Sequence, residues 1–159
     1  MVKYSGVLIT VADIAISRAF YEDLLGQRVK FDFGVDVPFE CGLTIHQADH
    51  FQGLLGSAAD FPITKKANNG ELFFEEDDIE LLQQRLKTAG VEFIHEVREQ
   101  PWAQRVMRFY DPDGFIVEVG ETMEAVVRRL HAQGLTDTEV SQRCSMPEEF
   151  VRQVIQVAG

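Results

Sequence analysis

The sequence has few cysteines and no long apolar run. Its two cysteines, Cys41 and Cys144, are far apart and form no metal-binding or redox pair. Both are therefore expected to be reduced thiols of a cytoplasmic protein. No run of about 18 apolar residues is present, and no charged segment precedes an apolar one near residue 1. We expect no membrane span, no signal peptide and no membrane partner.

Basic residues are also in short supply. The 15 Lys and Arg are outnumbered by 26 Asp and Glu, which gives a formal net charge of -11. An acidic surface repels phosphates, so no nucleic-acid partner is expected. The sequence also lacks a Ser-His-Asp spacing, a phosphate-binding loop and a zinc-type Cys/His cluster. This balance favours a globular domain that tolerates cationic or neutral small molecules.

The chain contains an internal repeat. "YSGVLITVADI" predicts a strand and a helix with Asp13 as its N-cap, and "ELFFEEDDI" predicts a second strand and a helix capped by Asp77 with Glu80. Each helix precedes three short strands, "QRVKFDFG", "VDVPFE" and "LTIHQ" in the first half and "VEFIHEV", "QRVMRFY" and "FIVEV" in the second. The sequence therefore predicts an α+β fold of two βαβββ modules, about 1–50 and about 70–120. The linker between them, 51–69, is expected to hold a short helix or a lid.

Alternation along these strands selects a common set of positions. Because alternate residues of a strand share a face, a helix packed on one side of each sheet leaves four positions on the other. These positions are Gly6, His46, Glu71 and Glu118. If the two sheets join side by side and curl, the four positions line one cleft. We therefore interpret Glu118, which lies between two valines in "FIVEV", as a cleft carboxylate.

Two segments resemble the signature regions of the vicinal oxygen chelate superfamily. They are "VADIAISRAFYEDLLGQRV" and "QPWAQRVMRFYDPDGFIVEVGE", and the resemblance covers roughly residues 4–120. This superfamily includes glyoxalase I, bleomycin resistance proteins, fosfomycin resistance proteins and extradiol dioxygenases. The resemblance implies a curled mixed sheet around a cleft, a small-molecule substrate or ligand, and a homodimer.

The resemblance also implies a metal site. In metal-using members the ligands occupy the four cleft positions, so the candidates here are His46, Glu71 and Glu118. One imidazole and two carboxylates suit a divalent ion such as Ni, Mn, Fe, Co or Zn. The ion would polarise paired oxygens of a substrate, and Glu71 or Glu118 would move a proton. This predicts a glyoxalase-like, metal-dependent lyase or isomerase.

A metal-free alternative stays open because Gly6 has no side-chain donor. In this alternative the protein resembles bleomycin resistance proteins and sequesters a cationic or aromatic small molecule. Trp102 and Gln104, next to a Pro-containing turn, are candidate substrate-binding residues under both hypotheses. Glu40, at the end of a strand, is a third candidate because it would add negative potential.

Residues 121–159 belong to neither module and predict three short helices. Capping boxes are expected at Thr136 with Glu139 and at Ser145 with Glu148. The segment "GLTDTEVSQRCSMPEEFVRQVI" resembles a helix-turn-helix, but its second helix opens with Glu148 and Glu149, where DNA phosphates would lie. We therefore take 1–120 as the domain proper and 121–159 as a helical extension that packs on the sheet or on a partner subunit.

Overall fold

The structure, a computed structural model, describes residues 1–56 and 58–158. Its elements are β1 (Val7–Val11), α1 (Ile14–Ala19) with a π-helical continuation (Phe20–Leu24), β2 (Asp36–Pro38), β3 (Leu43–Gln47), α2 (Ala48–Leu55), β4 (Glu71–Glu75), α3 (Ile79–Thr88), β5 (Phe93–Glu99), β6 (Arg105–Tyr110), β7 (Ile116–Gly120), α4 (Met123–Ala132), α5 (Asp137–Cys144) and α6 (Glu148–Ala158). This confirms the predicted α+β class and the three C-terminal helices. Within the described ranges, no helix is both long and apolar enough to cross a membrane.

The chain folds into two compact units. The first is Met1–Gly70 with Tyr110–Ile116, and the second is Glu71–Phe109 with Val117–Gly159. The sheet of the first unit has the order β1-β3-β2, and that of the second has the order β4-β7-β6-β5. In the first sheet β1, which precedes α1, lies beside β3, the last strand of its module. In the second sheet β4, which precedes α3, likewise lies beside the last strand, β7. This shared order supports the predicted repeat.

The first module lacks one of its predicted strands. "QRVKFDFG" forms only an isolated bridge between Val29 and Phe39, so the strand prediction was wrong there. The chain turns back too early for a longer ladder: Gly34 has a φ of 78°, and its N–H donates to Asp32 Oδ1 at 2.8 Å. Phe33 N–H then donates to the Asp36 carbonyl at 3.0 Å. This tight turn uses the backbone groups that a strand would need.

The two signature motifs meet inside the first unit. The hydroxyl of fully buried Tyr21 donates to Asp111 at 2.8 Å, while Asp113 accepts from the Ser17 hydroxyl at 3.1 Å and from Ala12 N–H at 3.0 Å. Burial, followed by the charge of Asp111, raises the pKa of Tyr21 well above its ordinary value, so the hydroxyl remains a donor. The two motifs that carry the family resemblance are therefore bonded to each other inside the first unit.

The linker contains the expected short helix, α2, and its later part packs on the "DPDG" turn. Lys65 Nζ lies 3.1 Å from Asp113, and Lys66 Nζ lies 4.5 Å from the centre of the Tyr110 ring. Gly114 permits this approach, because a Cβ there would lie 3.0 Å from the Lys66 backbone nitrogen. These contacts fix the end of the linker on its own unit.

Helix capping agrees with the sequence in part. Asp13 caps α1, and Thr136 with Glu139 forms the predicted capping box of α5. Asp78, one residue later than predicted, caps α3 by accepting from Leu81 N–H at 3.2 Å. The predicted cap at Ser145 was wrong, because Ser145 ends α5 in the left-handed conformation with a φ of 59°.

The C-terminal helices pack on the second unit through an apolar core of their own. Leu135, Met146 and Phe150 flank this core, which is made of the buried side chains Ala103, Val126, Val127, Leu130, Val140, Cys144, Val151 and Val154. Ala103 belongs to the turn before β6, so the helices are joined to the sheet through shared burial. The prediction that the extension packs on the sheet is consistent with this core.

A buried carboxylate reinforces the same junction. Glu121 is 1% exposed and lies 2.6 Å from Arg105 Nη2 and 2.8 Å from Arg129 Nη2. It also accepts the Arg105 N–H at 2.9 Å. Burial alone would raise the pKa of Glu121, but the hydrogen bonds from Arg129 and Arg105 outweigh it and hold the pKa below its ordinary value. The carboxylate therefore stays charged between its two guanidinium partners.

Candidate functional site

Arg108 joins side chains from all four strands of the second unit. Its Nε donates to Glu71 Oε2 on β4 at 2.8 Å, and its Nη2 forms an ion pair with Glu118 Oε2 on β7. Its Nη1 donates to His95 Nε2 on β5 at 3.3 Å. We call these four residues the Arg108 cluster. The order β4-β7-β6-β5 brings them together, because β7 and β6 lie between the other two strands.

The cluster carries one excess negative charge. His95 Nδ1 lies 2.9 Å from the Glu96 carbonyl, which only accepts, so Nδ1 carries the proton and Nε2 accepts from Arg108. Burial lowers the pKa of His95, and the charges of Arg98 and Arg108 lower it further, against the opposing effect of the Glu96 carbonyl. With His95 neutral, Glu71 and Glu118 outnumber Arg108 by one charge.

Two exposed aromatic side chains belong to the same unit as the cluster. Phe73, on the same exposed side of β4 as Glu71, is 52% exposed, and Trp102 is 44% exposed. The Trp102 indole donates to Gln104 Oε1 at 2.9 Å, and Gln104 Nε2 donates to the Glu121 carbonyl at 2.8 Å. These bonds fix the orientation of the indole.

Gly120 makes room for this arrangement. A Cβ at Gly120 would lie 2.9 Å from Gln104 Nε2 and 3.4 Å from the Phe73 ring. The Gln104 amide and the Phe73 ring therefore both pack against Gly120 on β7, two residues after Glu118. The result is a sheet face with two aromatic rings, an amide and an acidic cluster.

The residues of the second unit do not fit a divalent ion as they stand. Both candidate carboxylates, Glu71 and Glu118, already form ion pairs with the guanidinium of Arg108. In the described part of the chain, no group of three or more His, Cys, Asp or Glu side chains is arranged to hold a metal. Metal ligation by His46, Glu71 and Glu118 therefore stays a prediction.

Gly6 is fixed as glycine by its backbone. Its φ is 151°, and a Cβ there would overlap the carbonyl oxygen of Gly42. A side-chain ligand at this position would thus require the backbone of the first unit to move. The first unit lacks a ligand at Gly6 for a steric reason as well as a chemical one.

His46, the remaining candidate ligand, is engaged by neighbours in the first unit. It is 6% exposed, its Nδ1 lies 2.8 Å from Asp36 Oδ1, and its Nε2 lies 2.7 Å from His50 Nδ1. The edge contact with the Phe51 ring, 5.8 Å between centroids, covers it further. Whether Gly6 and His46 share a cleft with Glu71 and Glu118 stays a prediction. Glu40, the third substrate-binding candidate, is exposed at the end of the short strand pair.

Sequence reasoning missed Arg108 and His50. Arg108 lies between Met107 and Phe109, as Glu118 lies between two valines, so the signal of a charge inside an apolar strand was present in both strands. The sequence gives His50, at the end of the first module, no pattern that assigns it a role. Its partner His46 lies four residues earlier, on a strand that ends just before α2 begins.

The comparisons with known proteins agree with this fold. The Glyoxalase-like domain model matches residues 4–124. A protein of unknown function from Agrobacterium tumefaciens str. C58 has 35% identity and a TM-score of 0.68, over 77% of this chain and 95% of that one. Lactoylglutathione lyase from Agrobacterium tumefaciens has 24% identity and a TM-score of 0.56, over 75% and 92%. A glyoxalase-related enzyme from Fulvimarina pelagi has 20% identity and a TM-score of 0.65, over 77% and 89%.

No match was found among curated proteins. The domain model covers most of the chain and ends just after α4 begins, which leaves α5 and α6 outside it. The chain belongs to the glyoxalase-like domain family.

Proposed function

We propose that the chain is a metal-free binding protein of this family, and that the second unit sequesters a flat, cationic aromatic small molecule. The observation that carries the proposal is the Arg108 guanidinium between Glu71 and Glu118. In the family's metal-using members these two positions hold ligands. Here the guanidinium of Arg108 pairs with both carboxylates and occupies the place that a metal ion would take.

The charge and the aromatic rings argue for the ligand class. The Arg108 cluster keeps one excess negative charge, and the Glu71 side chain is 39% exposed, so a cation has a carboxylate to approach. Phe73 and Trp102 offer ring faces on which a flat cation can stack, worth about 0.5–2 kcal/mol per ring. The net charge of -11 attracts the same class of molecule at longer range.

Proflavine, a flat aromatic cation, is the probe that tests this. Because Trp102 is the sole tryptophan, its fluorescence reports on the site directly. We expect saturable quenching by proflavine and none by anthracene-9-carboxylate, a flat anion.

Variants of the site residues test which side chains hold the probe. Phe73→Ala should weaken proflavine binding about tenfold through lost stacking, and Glu71→Gln should weaken it about threefold through lost charge. Glu96→Gln, an exposed carboxylate paired with Lys87, is the matched control and should bind as the wild type does. Equal quenching by the anion would contradict the proposal.

The alternative is the metal-dependent lyase or isomerase that the family resemblance implies. The buried oxygen Oε2 of Glu118 favours this alternative. It forms an ion pair with Arg108 but accepts no hydrogen bond of normal geometry within the described residues, so a metal ion could use it as a ligand. In this alternative Glu71 and Glu118 would have to leave Arg108 to hold the ion, which would polarise the substrate oxygens, and Glu118 would accept or donate the proton. The metal content of the protein loaded with Ni, Mn, Fe, Co or Zn and then desalted separates the two proposals. One ion per chain that is lost in Glu118→Gln would replace the first proposal by the second.

We also propose that the chain acts as a homodimer. Strand β1 lies at the edge of its sheet, and Val7 and Leu8 on it are each 41% exposed. An open edge with apolar side chains is a natural surface for a second copy. A sedimentation-equilibrium mass of a single chain would contradict this.

A further inference from the structure

Three polar side chains, those of Asp36, His46 and His50, form a hydrogen-bonded series in the first unit. Asp36 and His46 are register partners on β2 and β3, and Asp36 Oδ1 lies 2.8 Å from His46 Nδ1. His46 Nε2 lies 2.7 Å from Nδ1 of His50, on the first turn of α2. His46 is buried while His50 is exposed, so the series leads from a buried imidazole to the surface.

The geometry of the two imidazoles is that of a shared proton. The ring planes are 24° apart with centroids 5.0 Å apart, so the rings meet edge to edge through their nitrogens. Two nitrogens that bind one tetrahedral metal at about 2.0–2.1 Å would be roughly 3.3 Å apart. The observed 2.7 Å between His46 Nε2 and His50 Nδ1 suits an N–H···N hydrogen bond.

The proton positions follow from the acceptor at one end. The Asp36 carboxylate only accepts, so His46 Nδ1 carries a proton. In the neutral ring His46 Nε2 must then accept, and His50 Nδ1–H donates to it. This leaves the lone pair of His50 on Nε2, which makes no hydrogen bond within the described part of the chain. An exposed lone pair backed by a base and a carboxylate is the arrangement of an activated nucleophile.

We propose that His50 is the nucleophile of an Asp36–His46–His50 triad that transfers acyl groups from activated esters to water. His50 Nε2 attacks the ester carbonyl carbon, a C–N bond forms, and the C–O bond to the leaving alcohol or phenol breaks with its electron pair. The Nδ1 proton of His50 passes to His46 Nε2, so the acyl-imidazole is neutral. The new His46 imidazolium lies beside Asp36, which stabilises it.

Water completes the cycle. Its oxygen bonds to the acyl carbon and the C–N bond breaks, which returns the electron pair to His50 Nε2. The proton on His46 returns to His50 Nδ1, and the proton lost by water goes to solvent, which balances the proton that the released alkoxide takes up. The net reaction is ester plus water to acid plus alcohol. The Phe51 ring against His46 limits water at the base, whereas His50 stays open to substrate.

Hydrolysis of p-nitrophenyl acetate by the full chain tests the triad. We expect His50→Gln to remove the protein-catalysed rate and Asp36→Asn to lower it at least about tenfold, through loss of the group that stabilises the His46 imidazolium. His131→Gln is the matched control, since His131 is an exposed histidine of α4 whose substitution should leave the rate unchanged. Unfolding curves establish that the variants fold.

Mass spectrometry of the acetylated protein supplies a readout that a structural role would not change. In one sample, His50 should acetylate about ten times faster than His131, and Asp36→Asn should remove that difference. Long-range ¹H–¹⁵N spectra of the wild type should show the proton of His50 on Nδ1. A proton on Nε2 instead, equal acetylation of His50 and His131, or wild-type hydrolysis by His50→Gln would each overturn the proposal.

Discussion

Arg108→Met should lower the free energy of unfolding by about 3 kcal/mol, the range measured when one partner of a buried ion pair is removed. Glu118 is only 8% exposed, and its carboxylate has no other cation beside it within the described residues. Without Arg108 the charge on Glu118 is left in the sheet without compensation. Urea unfolding monitored by Trp102 fluorescence measures the loss.

Two variants test whether the loss of stability comes from the uncompensated charge of Glu118 and not simply from the loss of an arginine. Arg152→Met breaks an exposed ion pair with Glu148 and should cost less than about 0.5 kcal/mol. Adding Glu118→Gln to Arg108→Met removes the uncompensated charge and should restore about 2 kcal/mol. If the double variant is no more stable than Arg108→Met, the stabilising role of the pair is wrong.

Glu121→Ala should cost still more, about 3–5 kcal/mol. The substitution leaves the guanidinium groups of Arg105 and Arg129 with only the exposed carboxylates of Glu80 and Glu99 as charged partners, and it removes the acceptor for the Arg105 N–H. It also opens a gap where the tail helices join the sheet. Glu124→Ala, an exposed carboxylate on the first turn of α4, is the control and should cost less than about 0.5 kcal/mol.

The acid dependence of unfolding gives a second measure of Glu121. Its pKa is lower in the folded chain than in the unfolded one, so its contribution is fully present above the ordinary carboxyl value of 4.5 and is lost as the pH falls through the folded value. Wild-type stability should therefore drop more steeply below pH 4.5 than that of Glu121→Ala. Parallel curves for the two proteins would contradict the role assigned to this carboxylate.

The sequence predicted the class of fold because its signals are local. Periodicity, caps and glycine stops identified nearly every helix and strand, and the pair of signature motifs was enough to indicate the family. The Glu118 carboxylate was also predictable, since a charge between two valines in a strand is unusual. The failed strand at "QRVKFDFG" has a local cause as well, the turn centred on Gly34, but the apolar pattern around it concealed that turn.

The partners of the site residues could not be predicted in the same way. Arg108 meets Glu71 and Glu118 across three strands, and such pairing depends on register, which alternation alone leaves undetermined. The β5–β6 ladder even contains register shifts near His95. Similarly, Asp36 meets His46 only because a short hairpin aligns β2 with β3. Periodicity shows which face a side chain occupies, whereas register decides what it touches.

The first unit obtains its last polar partners from far along the chain, and this bears on how it is made. Tyr21, Ser17 and Ala12 bond to Asp111 and Asp113, at sequence separations of 90, 96 and 101 residues. During synthesis, residues 1–70 are made before these acceptors exist. The hydrogen bonds from Tyr21, Ser17 and Ala12 to this turn cannot form until the "DPDG" segment has been made, so the nascent unit lacks their stabilising contribution until then. The N-terminal unit can therefore form its full set of buried hydrogen bonds only after residues 111–113 have been translated.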